Sequence, residues 1–349
     1  MTEKPGGRSL RGGHEDGLEA LRALDVAAAG SVDALVRGMS TTAFGGRRLG
    51  EAADVLEAMV RDPECWRVLT ISGAMTIAKQ GLVVCEMIDR GWVHAIVATG
   101  ALMTHGFVEA AGMLHFKHRP SMDDEELFEK GYNRVYDTLE LEQNLDDAEK
   151  IVSETLDGLP EDTVLCSHVI TAALGRYLER HTQGRAILKS AVRRGVPVFV
   201  PAFTDSELGL DVAVYNRRRE RAGRRRRPFD PFLDLEAYTD GVRAHATLGI
   251  VTIGGGVPRT WAQQGGPYLD ISAKRLSLEE PVRRFRYGVR ICPEPDHWGG
   301  LSGCSYSEGV SWGKFVPESE GGRFAEVYAD ATIAWPFVVR AVIERLGGR

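Results

Sequence analysis

Six short runs of almost unbroken apolar residues constrain this chain more than any other feature of its 349 residues. They are Arg67–Ser72 (RVLTIS), Val93–Thr99 (VHAIVAT), Val164–His168 (VLCSH), Val196–Ala202 (VPVFVPA), Leu248–Gly254 (LGIVTIG) and Tyr287–Cys292 (YGVRIC). A strand with one wet face alternates apolar and polar residues, whereas a strand covered on both faces does not. Runs of this kind, separated by stretches with three- and four-residue apolar spacing, predict an α/β fold: a mostly parallel sheet with flanking helices.

Small or polar residues follow these runs: Ser72 to Thr76, Thr99 to Ala101, Phe203 to Ser206, Gly254 to Pro258 and Pro293 to Pro295. In open parallel sheets the carboxyl ends of the strands form the ligand edge, so five such loops favour a crevice there. Glycine-rich turns opening helices, at Ser72–Thr76 and Gly254–Gly256, let backbone N–H groups approach a phosphate. Neither is a GxGxxG fingerprint, and no GxxxxGK[ST] loop occurs, which argues against ATP or GTP hydrolysis.

Residues 1–15 read as a mobile tail, 16–65 as a helical extension (LEALRALDVAAA, VDALVRGM), and 66–349 as one large α/β domain. With 43% hydrophobic and 26% charged residues the composition excludes wholesale disorder. No apolar run is long enough to span a bilayer and no apolar leader is visible, so a cytoplasmic protein without a membrane partner is expected. Five scattered cysteines without a CxxC pair predict free thiols. A formal net charge of −6 argues against nucleic-acid binding.

The densest collection of chemistry-bearing residues is Trp298–Lys314, WGGLSGCSYSEGVSWGK, too rich in glycine for a regular helix. Lys314, followed by Phe315 and Val316, is placed for partial desolvation, which lowers an amine's pKa and makes it a nucleophile toward an imine or carbonyl carbon. Trp312 offers an aromatic face to a cation and Glu308 a counter-charge.

SEGVSWGK resembles the active-site lysine motif of the deoxyhypusine synthase family. SGAMT, VATGALMTHG, PVFVPAFTDSELG, IGGGVP and VYADATIAWPFVV fall in the family's order and spacing, so the resemblance runs from about residue 40 to the carboxyl end. It implies a Rossmann-like, NAD-binding sheet, a homotetramer with active sites between subunits, and polyamine substrates. NAD contacts are implied at Ser72, Gly73, Ala74, Met75, Thr76, Thr99, Gly100, Ala101, His105, Asp205, Gly255, Asp330 and Ala331. Lys314 matches the imine-forming lysine. Glu308, Trp312, Gly299, Gly300, Leu301, Asp211 and Thr260 match, or adjoin, polyamine-binding positions.

Departures from the eukaryotic enzymes cluster in the substrate pocket. Leu210 stands for an acidic residue, with Asp211 one position later; Thr260 stands for a histidine, Leu301 for an acidic residue and His105 for a glutamate. Pro293-Glu294 replaces a Thr-Ala cofactor contact. Because a buried ammonium without its partner costs several kcal/mol, spermidine in its usual pose should bind poorly. The first reading is therefore NAD-dependent transfer of an aminoalkyl group from a polyamine to a small amine such as putrescine or agmatine. Deoxyhypusine synthesis on a protein lysine and a non-catalytic NAD- or polyamine-binding protein are the alternatives.

Three other segments receive bland readings. Arg217–Arg227, with eight arginines in eleven residues, reads as a solvated, partly disordered loop. His115 and His118 read as an ordinary exposed pair, and no metal site is expected. Leu139–Leu159 reads as an amphipathic helix with an acidic face that needs no ligand.

Overall fold

The computed structural model of the protein describes residues 11–348. Strands β1 (Cys65–Ile71) and β2 (Ala95–Ala98) precede a small group, β3 (Phe116–Lys117), β4 (Tyr132–Val135) and β5 (Thr138–Leu141). Then come β6 (Val198–Phe199), β7 (Thr247–Ile253), β8 (Phe285–Ile291) and β9 (Arg323–Val327). Six of these form one sheet in the order β6-β2-β1-β7-β8-β9, every neighbouring pair parallel. From β1 the chain steps outward through β2 to β6, then returns past β1 to β7, β8 and β9. The order of travel reverses between β1 and β7, the doubly wound arrangement with its switch point at that pair.

The unalternating pattern has the predicted cause. Every residue of β1 is buried, because Cys65, Leu69 and Ile71 face one hydrophobic cluster while Trp66 and Val68 face another on the opposite side. Helices cover both faces. No helix among the described residues is long and apolar enough to cross a membrane.

Several expectations are corrected. Val164–His168 is not a strand: Leu165 makes one isolated bridge to Phe229, and a helix, Ser167–His181, begins at once. Val196–Ala202 keeps only two strand residues, since it lies at the sheet edge and turns at Pro201. In the amino-terminal segment Val32–Ser40 and Phe44–Arg61 are helical, but LEALRALDVAAA is not. Leu18, Leu21 and Val26 remain 62–64% exposed, and a short amphipathic segment without a surface to bury its apolar face does not hold a helix. Of the expected tail, residues 1–10 lie outside the described residues and Gly13–Asp16 forms a 3-10 turn. The antiparallel β3-β5-β4 sheet and the edge strand β9 have no counterpart in the sequence reading.

The arginine run is ordered, and it meets the acidic helix. Glu142–Asp157 is helical; Arg218 pairs with Glu149 at 2.6 Å, Arg219 with Glu161 at 2.5 Å, and Arg224 with Asp157 at 3.1 Å. Arg227, 2% exposed, donates to the Leu159 carbonyl at 2.8 Å. A block of like charge folds here because carboxylates from the facing helix and the turn after it intersperse with it.

Two predictions follow from this packing. The Arg345 side chain is wholly buried where the last helix, Ala331–Arg345, meets the first two, at 2.5 Å from Asp33, 2.7 Å from Asp54 and 3.3 Å from Glu57. Arg345→Met removes the cation these three carboxylates share, but Asp33 keeps Arg37, Glu57 keeps Arg61 and Asp54 is 43% exposed, so the unfolding free energy should fall by only about 1–2 kcal/mol, read by denaturant titration. Asp211, 4% exposed, is pushed up to about 7 by burial and by Glu207, Glu149 and Asp146, against the opposing pull of Arg218. In the unfolded chain a carboxylate ionises near ~3.9, so Asp211 weakens the fold increasingly as pH rises from about 4 to 7. Asp211→Asn should therefore leave the melting temperature unchanged below about pH 4 and raise it by an amount that grows to pH 7 and then levels off.

Candidate active site

The loops leaving the parallel strands meet along one edge in an unbroken row. The Gly255 N–H donates to Ser72 Oγ at 2.8 Å, joining the loops after β7 and β1 at the switch point. Thr99 Oγ1 donates to the Gly73 carbonyl at 2.7 Å, joining β1 to β2. A Cβ built on Gly100 would stand 2.2 Å from Ser206, so the β2 and β6 loops touch only because residue 100 is glycine. One on Gly255 would meet Ser302 at 2.6 Å, which puts the β7 loop against the lysine loop. Gly73 and Gly256 have φ of +72° and +58°, with no backbone neighbour within 4 Å of a built Cβ.

Helix starts line the same edge. Thr99 caps Gly100–Ala110 through the Leu102 N–H, Ser206 caps Glu207–Arg221 through Gly209, and Asp330 caps Ala331–Arg345 through Thr332 at 2.8 Å. Asp205 and Asp330 are exposed, Ala331 is buried behind its cap, and Ala101 and Ala74 are half-buried. A dinucleotide fits this edge: glycine backbone open to a pyrophosphate, helix N-termini, and exposed carboxylates able to accept from ribose hydroxyls. Not every candidate faces it. Thr76 is 2% exposed and donates inward to the Leu102 carbonyl, Met75 packs against the core, and His105 turns to Glu140.

The lysine loop is more regular than its glycines imply. Asp296–Trp298 is a 3-10 turn and Tyr306–Ser311 a short helix, capped by Ser305 Oγ accepting from the Glu308 N–H at 3.1 Å. Gly313, at φ +68°, ends that helix and delivers Lys314 to the bridge between Phe315 and Phe285. Lys314 Nζ lies 5.9 Å from the centre of the Trp312 ring. Its pKa is lowered, first by burial; Cys304 opposes that, Arg259 adds to it, and Glu308 opposes it. Trp312, Leu301 and Leu210 are 67%, 58% and 54% exposed, while Thr260 is half-buried. Gly299, at φ +73°, and Gly300 belong to the same loop. Asp211 faces the acidic helix rather than this edge, so it does not substitute for the carboxylate missing at Leu210.

Two buried arginines, absent from the sequence reading, hold the loop. Arg259 donates to the carbonyls of Cys304, at 2.6 Å, and Ser302, at 3.4 Å. Arg290 donates to the same Ser302 carbonyl and to Asp296 at 3.0 Å, with Glu326 3.6 Å away. Both are 1% exposed. The signal was an arginine interrupting a strand buried on both faces, in YGVRIC.

Two further trios bring unlike donor atoms together: His105, His115 and Glu140, and Cys166, His168 and Asp234. The expected exposed pair is thereby corrected: the His115 side chain is fully buried and His118 half-buried, because the β3-β5-β4 sheet folds over them. In the second trio His168 Nδ1 is 2.8 Å from Asp234 and 3.3 Å from Cys166 Sγ, and these two partners hold it at about 9. Asp234 also accepts the N–H groups of Ser167 and His168, so its oxygens are already engaged.

Comparison with known proteins places this chain in a family. The deoxyhypusine synthase family model matches residues 34–342. A protein named probable deoxyhypusine synthase 2, from Methanosarcina acetivorans, is 32% identical over 316 residues, covering 90% of this chain and 87% of its own. The deoxyhypusine synthase-like protein of Chlorobaculum parvum is 31% identical, covering 87% of this chain and 84% of its own. A crystal structure of a deoxyhypusine synthase candidate from Entamoeba histolytica shares the fold, with TM-score 0.58 and 13% identity over 92% of this chain and 96% of that one. The chain belongs to the deoxyhypusine synthase family.

Proposed function

We propose that the protein is an NAD-dependent transferase that moves an aminoalkyl group from a spermidine-like polyamine to a small amine acceptor through an imine on Lys314. The observation that carries this reading is the environment of Lys314: half-buried, its pKa lowered, beside an aromatic face and a carboxylate. Bound NAD, held along Ser72–Ala74, Thr99–Ala101, Asp205, Gly255 and Asp330, supplies the removal and return of a hydride at the donor carbon.

The chain's own residues carry the exchange. The neutral Lys314 amine attacks the donor imine carbon; its new carbon–nitrogen bond forms as the bond to the departing amine breaks, and that amine leaves with the proton Lys314 gives up. An acceptor amine reverses the step. Trp312 and Glu308 stabilise the cationic imine, the first by its ring face and the second by charge. Leu210 and Leu301 leave the surroundings short of ammonium partners, which supports a shorter or differently charged ligand than spermidine. The exposure of Trp298, Leu301, Trp312 and Phe337 supports a homotetramer whose second copy closes this edge, with polyamines as the small-molecule partners.

Lys314→Ala should reduce transfer by about 10³-fold or more while NAD binding and folding persist, and Lys314→Arg should fail equally because guanidinium stays protonated. Borohydride trapping with peptide mapping checks it: an adduct on another lysine overturns the assignment. In a second experiment, Leu210→Asp, Thr260→His and Leu301→Asp together should raise the ratio of kcat/KM for spermidine to that for the best small-amine pair. Efficient use of spermidine by the unmodified protein, with a protein lysine as acceptor, would instead make deoxyhypusine synthesis its activity. Turnover with neither acceptor would leave a binding protein.

A further inference from the structure

The trio around Glu140 is not explained by the transfer chemistry. His105 lies on the helix Gly100–Ala110, one turn beyond the crevice edge; Glu140 lies on β5; His115 precedes β3. Glu140 is 1% exposed and the His115 side chain not at all. A single oxygen, Glu140 Oε2, stands 3.1 Å from His105 Nδ1 and 2.5 Å from His115 Nε2. The second approach falls outside hydrogen-bond geometry, so the buried His115 Nε2 has no hydrogen-bond partner. Two nitrogens crowding one carboxylate oxygen, one of them off its hydrogen-bond axis, is how ligands are disposed around a common centre. All three donor atoms lie within 4.8 Å of one another.

We propose that His105, His115 and Glu140 bind one divalent transition cation of the zinc type. Two imidazoles and one carboxylate are a donor set that suits zinc, and three protein ligands leave further positions open. The open side is that of His105, whose side chain is 16% exposed. The surroundings are built as an outer shell: Asn144 Nδ2 donates to Glu140 Oε1 at 2.6 Å and to the Leu114 carbonyl at 3.1 Å, fixing the carboxylate's orientation.

One group competes. Lys79 Nζ sits 2.9 Å from His115 Nδ1, an arrangement that puts the ring proton on Nε2. Metal binding at Nε2 moves that proton to Nδ1, and Lys79, half-exposed, withdraws to Glu109, whose Oε2 is already 3.4 Å away. The cation would clamp the β3-β5-β4 sheet onto the helix that opens at the ligand edge. The Cys166 trio differs in that both of its carboxylate oxygens accept backbone N–H groups, at 2.9 Å each, whereas Glu140 Oε2 faces only imidazoles.

The test uses the full-length chain, stripped with EDTA, dialysed and titrated with Co²⁺ and with Zn²⁺. One equivalent per chain should bind, with a Co²⁺ d–d spectrum of low coordination number that Zn²⁺ displaces, and Zn²⁺ should raise the melting temperature. Glu140→Gln and His115→Gln should each weaken binding at least about 100-fold; His105→Asn, less buried, serves if those variants fail to fold. Lys79→Met should tighten binding by removing the competing donor, and Cys166→Ser should change nothing. Absence of a Co²⁺ spectrum, affinity unaltered in the trio variants, or a thiolate charge-transfer band lost in Cys166→Ser would each overturn the proposal.

Discussion

The hydrogen bond from the Gly255 N–H to Ser72 Oγ ties the two strands between which the chain reverses its direction of travel. In an all-parallel sheet every strand delivers its carboxyl end to one edge, and at the switch point the flanking connections run to opposite sides, leaving a gap between β1 and β7. The loops beside that gap approach closely only because they lack side chains: a Cβ on Gly254 would stand 2.2 Å from Ser72, and one on Gly255 2.6 Å from Ser302. A side chain at Gly254 would push the β7 loop away from the β1 loop, and one at Gly255 would push it away from the lysine loop, so topology and loop composition are one constraint.

The lysine loop needs a second support, because a segment with Gly299, Gly300, Gly303, Gly309 and Gly313 pays heavily in chain entropy to hold one shape. Arg259 and Arg290 supply it from beneath. Burying two guanidinium groups is costly unless their donors are used, and here they are aimed at the carbonyls of Ser302 and Cys304 and at Asp296. Burial of Glu326 raises its pKa against the pull of Arg290, so the anion opposite this arginine is itself partly desolvated. Loop position thereby depends on charges fixed to the β8 strand and to the helix Gly256–Ala262, which move with the sheet.

How much of this was legible depended on whether the deciding contacts were local. The parallel sheet could be read from β1, β7 and β8 because burial on two faces leaves a mark in each strand's own residues. The helix expected at LEALRALDVAAA had the right spacing and lacked a surface to bury it, which spacing does not reveal. The arginine run was misread for the same reason: Glu149, Asp157 and Glu161 lie more than fifty residues away in sequence. The closeness of Trp312 to Lys314, and of both to the short helix that carries Glu308, was legible because all three lie within seven residues of one another. His115 was not, since its partner Glu140 arrives through a small antiparallel sheet that leaves little apolar pattern.

In the proposed transfer, the environment of Lys314 has to serve two demands that pull apart. Attack requires a neutral amine, which burial and Arg259 favour; the imine that results is cationic, which Glu308 and the Trp312 face favour. A carboxylate in contact with the amine would stabilise the ammonium and the iminium alike, leaving the nucleophile mostly protonated. Here Glu308 is exposed at the surface of its short helix and ranks below burial among the influences on Lys314. Its field is therefore screened in the open site and strengthens when water is excluded, as low dielectric strengthens every charge interaction. Closure of the edge over a bound polyamine would then stabilise the cationic intermediate at the stage when it exists, while the open site keeps the amine free to attack.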